Sequence, residues 1–492
     1  MKSQRLRRFG GFRRFAKCGK HHMEAHNRRE NLTKNKKKTI VVQKVAQKRV
    51  PPKQKMIPYS RELPLIGQFD VLVCGGGPAG IAAAVTAAEN GAHVAMIEQN
   101  SYLGGMATGG CVNPMSEFSY KGERVIGGFA WRFAQELIKA DGAILEEPRG
   151  NLSFNPEIYK LVAQRLAQQA GITLFTNTFV ADCICDSDML HQIIVANKNG
   201  LQAASGRYVI DTTGDADVAF HAGVPMLPNT RPAQPASLIF CLANVDTTTP
   251  RMHIIHQKNN NIHHSAGFIR ELFEKLRGEG VDVPQFGGPW FCSTVDDGCV
   301  TVNMSRSTMD AVDAADYQRA TAELRENVFR FVGLLKQHVP EFKNCVISSI
   351  APMTGVRQSR RIQGKHILTG TEYLEATHFT DAIARACHPV DIHLPSGDGQ
   401  ILHYPEIAAY IPFRSLQPEG VSNLLVAGRP ISADEDAFAG VRVQATCMET
   451  GEAAGLAAAL CVQKGNLPLA SLDITEVVCK LREGGTILPL VS

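Results

Sequence analysis

The hydrophobic pattern of this chain starts abruptly at Phe69. Phe69–Cys74 is an unbroken apolar run rich in β-formers, the pattern of a buried parallel strand. Ala79–Asn90 is alanine-rich and carries no charge before Glu89, which reads as a buried helix, and His93–Glu98 reads as a second buried strand. Helical spacing then predicts Gly128–Ala140 and Asn155–Gly171, the latter with Pro156 near its start. Strands are expected at Ile172–Val180, Gln192–Ala196 and Gly206–Ile210. Arg207–Val218 runs from strand into a turn that holds Gly214 and Asp215 at the strand's C-terminal end. Farther on, strands are expected at Ser237–Ala243 and Cys299–Met304. Ala314–His338 reads as one long amphipathic helix, with apolar residues every three or four positions. Asn423–Gly428 returns to the buried-strand pattern, and Ala445–Leu460 to a small-residue helix.

Upstream of Phe69 the picture changes. Residues 1–56 hold 19 Lys+Arg against 2 Asp+Glu, which leaves 33 against 45 in the remainder. The net charge of +5 therefore hides a mildly acidic body behind a basic extension. Met1–Lys55 lacks periodicity and carries like-charge blocks, so residues 1–55 are expected to be a disordered extension, with translation starting in effect at Met56. A transit peptide and a nucleic-acid-binding tail are the alternatives. At 492 residues, 44% apolar and 20% charged, the chain has the composition of a soluble globular protein, and no apolar run reaches membrane-spanning length. Thirteen cysteines contain no C-x-x-C, which argues against a dithiol centre, a zinc ribbon or an iron–sulfur cluster and fits a reducing, cytoplasmic setting. The histidines at 253, 256, 263 and 264 lie in a polar bridge that reads as a solvated loop, so no metal is expected.

Between the first strand and helix, Gly75, Gly77 and Gly80 spell G-x-G-x-x-G. The first glycine permits a tight turn, the second lets a pyrophosphate approach the backbone, and the third lets helix and strand pack closely. Pro78 and Ala79 open a helix whose N-terminal N–H groups face the phosphates. Glu98, at the end of the second strand, is placed to accept from a ribose hydroxyl. An acid there favours FAD or NAD over NADP, and the fingerprint alone leaves those two open. No second G-x-G-x-x-G occurs, so a second dinucleotide site is not expected.

Further motifs follow in order: YLGGMATGG, YVIDTTGDADVA, GVRQSRRIQG at 355–364, HPVDIH at 388–393, IPFRSLQP at 411–418 and the long run from Asn423 to Ala459. On these the sequence resembles the FAD-dependent oxidoreductases related to the flavin part of heterodisulfide reductase. It is similar, more distantly, to fumarate reductase flavoproteins. The resemblance implies FAD and an α/β fold: a Rossmann-like FAD-binding domain of glutathione-reductase-like topology, interrupted by an α+β substrate domain. Expected boundaries are 56–232 and 421–492 for the FAD-binding parts and 233–420 for the substrate or cap domain. It further implies that Gly105, Met106 and Ala107 line the pyrophosphate and ribityl region and that Val180 touches the adenine end. Gly428, Arg429 and the helix entry with Thr446 and Gly451 would face the ribityl chain and ring. The acidic stretch Asp434–Asp436 departs from the family pattern.

For the chemistry, Arg357, Arg360 and Arg361 form a dense guanidinium group suited to a carboxylate or enolate, with a structural ion-pair network as the alternative. Asp391 and His393, two apart on an extended segment, point to one side and form a candidate acid–base pair, with a surface or packing role as the alternative. The expected catalytic set is therefore His393, Arg360 and Asp391. The reading is a flavoenzyme transferring hydride between a small polar, anionic metabolite and flavin. A tRNA- or nucleic-acid-modifying flavoprotein and an electron-transfer component of a larger complex are the alternatives. The expected partners are a small-molecule substrate, an electron acceptor that no residue identifies and a second copy of the chain; nucleic acid enters only through residues 1–55, and no membrane is expected.

Overall fold

The strand β1 (Leu65–Cys74) shows why the apolar run is unbroken: Val71 and Val73 pack into one hydrophobic layer, Leu72 and Cys74 into the opposite one, and all four are fully buried. Parallel strands covered on both faces need no polar alternation. The computed structural model describes residues 57–489 except 149, 250–266, 294 and 396–398. The extension 1–55 and the bridge with His253, His256, His263 and His264 lie outside the described residues. Ile57–Arg61 are exposed and carry no helix or strand, and Glu62–Ser492 cluster as one unit.

Along the chain follow α1 (Pro78–Glu89), β2 (Val94–Ile97), α2 (Gly128–Lys139), α3 (Pro156–Gln169), β3 (Thr173–Phe175), β4 (Phe179–Asp186), β5 (Met189–Asn197) and β6 (Gly200–Asp211). The central part gives β7 (Phe240–Ala243), α4 (Gly267–Gly278), β8 (Phe286–Ser293), β9 (Val300–Ser305), α5 (Ala314–His338) and β10 (Val346–Ile350). After it come β11 (Ala382–Ala386), β12 (Val390–His393), β13 (Gln400–His403), β14 (Ala409–Pro412), β15 (Leu424–Val426), α6 (Glu435–Val441), α7 (Gln444–Gln463) and α8 (Ile474–Glu483).

The main sheet runs β3-β2-β1-β6-β5-β4, with β15 also on β6. Pairings β1–β2, β2–β3, β1–β6 and β6–β15 are parallel, while β4, β5 and β6 form an antiparallel meander. This is a Rossmann-like α/β arrangement. The expected strand Ile172–Val180 is two strands instead. Asn177 takes a left-handed φ of 51°, its N–H donates to Asn100 O at 3.0 Å, and Thr178 N–H donates to Glu98 O at 3.0 Å. That turn starts β4, whose residues are largely exposed.

Helices α1 and α7 lie against each other without side chains at the closest points. A Cβ on Gly451 would sit 2.1 Å from Ala79 O, and one on Gly455 would sit 2.1 Å from Ala83 O. Both helices are buried over almost their whole length, and α7 carries Glu449 and Glu452 among its buried residues. The central four-stranded sheet, order β8-β9-β7-β10, has its own core with α4 and α5, built from residues such as Phe240, Phe273, Val302, Leu324 and Phe331. Residues from Leu368 to Leu416 pack into the first core with α1 and α7.

Candidate active site

A cavity of about 580 Å³ opens at the C-terminal ends of β1 and β6 and extends to the central sheet. Gly75 begins its wall with φ of +108°, and a Cβ there would stand 2.4 Å from Thr212 O, so this turn takes glycine alone. Gly77 caps α1 without a side chain, and no side chain reaches the first turn, so the N–H groups of that turn are left for a ligand. A Cβ on Gly77 would meet nothing closer than Gly105 Cα at 3.9 Å: it would project into the cradle itself. Pro78, Ala79, Gly105 and Met106 complete this wall.

Glu98 is buried at the same end. Its Oε2 accepts from Gly76 N–H at 2.7 Å, and its Oε1 accepts from the Asn100 backbone and side-chain amides, both at 2.7 Å. Burial pushes its pKa up, against the pull of those donors. One acceptor position remains for a ribose hydroxyl. Thr178 and Val180 line the cavity beside it. An uncapped helix start, a cradle that a Cβ would fill and a buried carboxylate with one spare acceptor fit a dinucleotide.

Gly214, Asp215, Gly428 and Arg429 also line the cavity. Arg429 joins them, with Nε donating to Gly214 O at 2.7 Å, Nη1 to Val356 O and Nη2 to Asp215 Oδ1. Gly80 packs helix on strand as expected, and three expected cofactor contacts, Gly451, Ala107 and Thr446, are packing positions too. A Cβ on Gly80 would lie 1.8 Å from Gly75 O, and Gly451 is pressed on Ala79 as described. Ala107 and Thr446 are buried behind the wall.

Toward the central sheet the wall becomes side chain. Asp391 and His393 share one face of β12 as expected, with His393 Nε2 3.1 Å from Asp391 Oδ2. Gln400 Nε2 donates to Asp391 Oδ1, and Arg442 Nη2 donates to Asp391 O at 3.0 Å and lies 3.7 Å from Asp391 Oδ2. His393 and the arginine hold the Asp391 carboxyl far below its ordinary range, although burial opposes them. Burial and the nearby Arg357 push His393 down to about 3, so its imidazole is neutral. Trp290 stands edge-on to His393 with ring centroids 5.5 Å apart.

Three arginines gather around this single acid. Arg357 lines the cavity and donates to Pro235 O and Ser237 Oγ, both at 2.7 Å; burial and Arg442 bring its pKa down to about 9. Arg306, fully buried behind it, donates from Nη1 to Ser237 Oγ, Asn303 Oδ1 and Ser305 O, while its Nε and Nη2 have no partner. Arg442 is the third.

Arg360 is not part of this group, contrary to expectation. Its Nη1 donates to Asp217 Oδ1 at 2.9 Å, and its guanidinium lies 4.0 Å over the Phe220 ring, outside the cavity wall. Arg361 is buried against Ala433 O, Pro228 O and Asn229 Oδ1. Of the dense arginine group, Arg357 alone lines the cavity. Sequence reasoning missed Arg442, Trp290, Asn303 and Tyr317; Arg442 stands within the long C-terminal motif, and the other three carry no local signal. Among the described residues no group of three or more His, Cys, Asp or Glu is placed to hold a metal, and no helix is long and apolar enough to cross a membrane.

Known proteins match this chain in part and along most of its length. The thiamine thiazole synthases of Aeropyrum pernix and Methanococcus vannielii are 32% and 29% identical over 161 and 167 residues. Those matches cover 30% and 31% of this chain and 54% and 58% of theirs, so the chain spans about half the length of the curated relatives it matches. Among solved structures, a geranylgeranyl bacteriochlorophyll reductase-like protein of Thermoplasma acidophilum is 14% identical, with 85% of this chain and 83% of that one covered and a TM-score of 0.43. A flavoprotein/dehydrogenase from Cytophaga hutchinsonii is 12% identical, covers 84% and 82%, and also has a TM-score of 0.43. The profile of the family described as FAD dependent oxidoreductase matches residues 70–481, most of the chain. On that match, the chain belongs to the FAD-dependent oxidoreductase family.

Proposed function

We propose that this enzyme transfers a hydride between a small anionic metabolite and FAD, and that the metabolite binds between the cofactor and Arg357, Arg442 and His393. The observation that carries the reading is charge: Arg306, Arg357 and Arg442 surround one carboxylate, Asp391, in a buried wall. Uncompensated guanidinium groups are costly to bury, and an anion arriving among them offsets that cost. The central segment, expected as a substrate domain over 233–420, supplies Trp290, Asn303 and Arg357 to this side. Membership of the FAD-dependent oxidoreductase family supports two-electron flavin chemistry at this site.

FAD would be held by the α1 cradle, Glu98, Gly105, Met106 and Gly428, with the N-terminus of α7 close by, and it supplies a two-electron hydride acceptor or donor. The chain's residues do the rest. Arg357 and Arg442 orient the anion. In neutral His393 the Nε2–H donates to Asp391, which fixes the tautomer and leaves the lone pair on Nδ1. An anion seated among the arginines cancels part of the field that depresses His393, so binding raises the basicity of the group that takes or returns the substrate proton.

The test is anaerobic mixing of the holoprotein with matched pairs of small carboxylates and their neutral amides, read by loss of flavin absorbance. Bleaching by a carboxylate and not by its amide is expected. His393→Gln should slow that bleaching by about 10²–10⁴-fold at unchanged FAD content. Equal bleaching by both members of the pair, or an unaffected His393→Gln, overturns the reading.

A further inference from the structure

Four oxygens accept from Arg306 and Arg357: Pro235 O, Ser305 O, Asn303 Oδ1 and Ser237 Oγ. Of these, Ser237 Oγ alone carries a hydrogen of its own. Ser237 stands just before β7 and is 2% exposed. Its backbone is pinned twice to one residue: its N–H donates to Gly355 O at 3.1 Å, and its carbonyl accepts from Gly355 N–H at 2.7 Å. The residue lines the cavity together with Trp290, Asn303 and Arg357.

Arg306 Nη1 donates to Ser237 Oγ at 2.6 Å, and Arg357 Nη1 donates to it at 2.7 Å. A hydroxyl oxygen has two lone pairs, and these two guanidinium hydrogens fill both. A guanidinium cannot accept, so the hydroxyl proton of Ser237 points away from both arginines. No group among the described residues receives that proton. The direction that remains is the cavity. Beside it, Arg357 uses both Nη1 hydrogens on Pro235 O and Ser237 Oγ, which leaves those on Nε and Nη2 for a ligand. The acid of the wall, Asp391, is engaged by His393, Gln400 and Arg442.

We propose that Ser237 is a substrate-binding residue whose hydroxyl donates to one oxygen of a carboxylate, while the charge of that carboxylate pairs with Arg357. The proposal rests on the anionic-substrate reading above and gives it a direction. With its lone pairs filled, Ser237 can only donate, and Arg357 never accepts, so this corner of the cavity offers donors alone. An oxygen that brings lone pairs is held there, whereas an ammonium group or the NH2 end of an amide meets no acceptor. Two cationic donors on its oxygen also polarise the Ser237 O–H bond, which strengthens the hydrogen bond it gives.

The test uses the FAD-loaded protein with acetate as the probe. Calorimetric titration should show acetate binding to the wild type. Ser237→Ala should weaken it about 10–100-fold, and Ser237→Thr, which keeps a hydroxyl, should restore most of it, both at unchanged FAD content. A second variant covers poor folding of the first. In Ser237→Cys the introduced thiol should be alkylated at least about 10-fold faster by iodoacetate than by neutral iodoacetamide, because the arginines concentrate the anion beside it. Peptide mapping reads each site, and the exposed Cys185 and Cys479 should show no such preference. Acetate bound equally by wild type and Ser237→Ala, or a thiol at position 237 with no preference for iodoacetate, overturns the assignment of Ser237 alone. A wild type that binds no acetate overturns this assignment and the anionic-substrate reading together.

Discussion

At its nucleotide end the cavity is walled by backbone: Gly75, Gly77, Gly105 and the open start of α1 come within 31 residues of one another. At the end proposed for substrate it is walled mainly by charged and polar side chains from six separate stretches, around Ser237, Trp290, Asn303, Arg357, Asp391 and Arg442. The first end is stiff, local and nearly uncharged; the second is a buried cationic cluster held by hydrogen bonds to carbonyls and hydroxyls. The cofactor surface is set by backbone at its closest points, whereas the surface proposed to choose a substrate is set by side chains.

The comparison breaks most visibly at the glycines. Gly80→Val and Gly451→Val force a side chain into backbone already closer than contact distance, so little folded protein should be recovered from either. Gly77→Val adds atoms only to the cradle. It should yield folded protein of near wild-type circular dichroism whose bound FAD, measured by absorbance, falls to a few per cent or less. Equal behaviour of the three would erase the distinction between packing glycine and ligand glycine.

The next largest effect separates two arginines. Arg357→Met keeps bulk but removes the charge, and kcat/KM on an anionic substrate should fall by about 10²–10³-fold with FAD content unchanged. Arg360→Ala removes a pair with Asp217 and a contact over Phe220, both outside the arginine cluster, and kcat/KM should stay within about fivefold of wild type. Steady-state kinetics of the two variants decides which arginine belongs to the substrate end.

The smallest effect sharpens the comparison from behind the nucleotide end. Helix α2 starts at Gly127 without a cap of its own, and two buried glutamates of α7 supply it. Glu449 accepts from Gly127 N–H at 3.0 Å and from Arg385 N–H at 2.7 Å, and Glu452 accepts from Phe129 N–H at 3.0 Å. Burial outweighs these donors and pushes the pair up to about 8 and about 7. Both pKa values are higher folded than unfolded, so the folded state binds more protons. Their contribution to stability is complete below about pH 4.5 and is lost as pH rises through 7 and 8. Between pH 6 and pH 9 the melting temperature should fall by about 3 °C, and Glu452→Gln should flatten part of that slope in differential scanning fluorimetry.

Legibility followed the same division. The β1–α1–β2 unit could be read because its glycines, its apolar strands and Glu98 have fixed short spacings, and α5 was read to its exact ends from periodicity alone. Asp391 and His393 were legible because alternation along a strand is local too. Arg360 was misassigned because three arginines in five residues on an irregular segment point three ways, and nothing in the sequence says which. Arg442, Trp290 and Asn303 meet only through tertiary packing, and the break between β3 and β4 rests on the left-handed φ of Asn177, which the apolar run does not show.

The bare contact between α1 and α7 also has a consequence in time. About 370 residues separate Gly80 from Gly451, and β15, which completes the strand row on β6, comes almost as late. At roughly 5–20 residues per second a ribosome needs on the order of 20–70 s to travel that distance. Throughout that interval the alanine face of α1 has emerged and its partner has not been made. The nascent chain must therefore be kept from aggregating until nearly its last helix leaves the exit tunnel, and any message cut short before that point yields a flavin cradle with an open back.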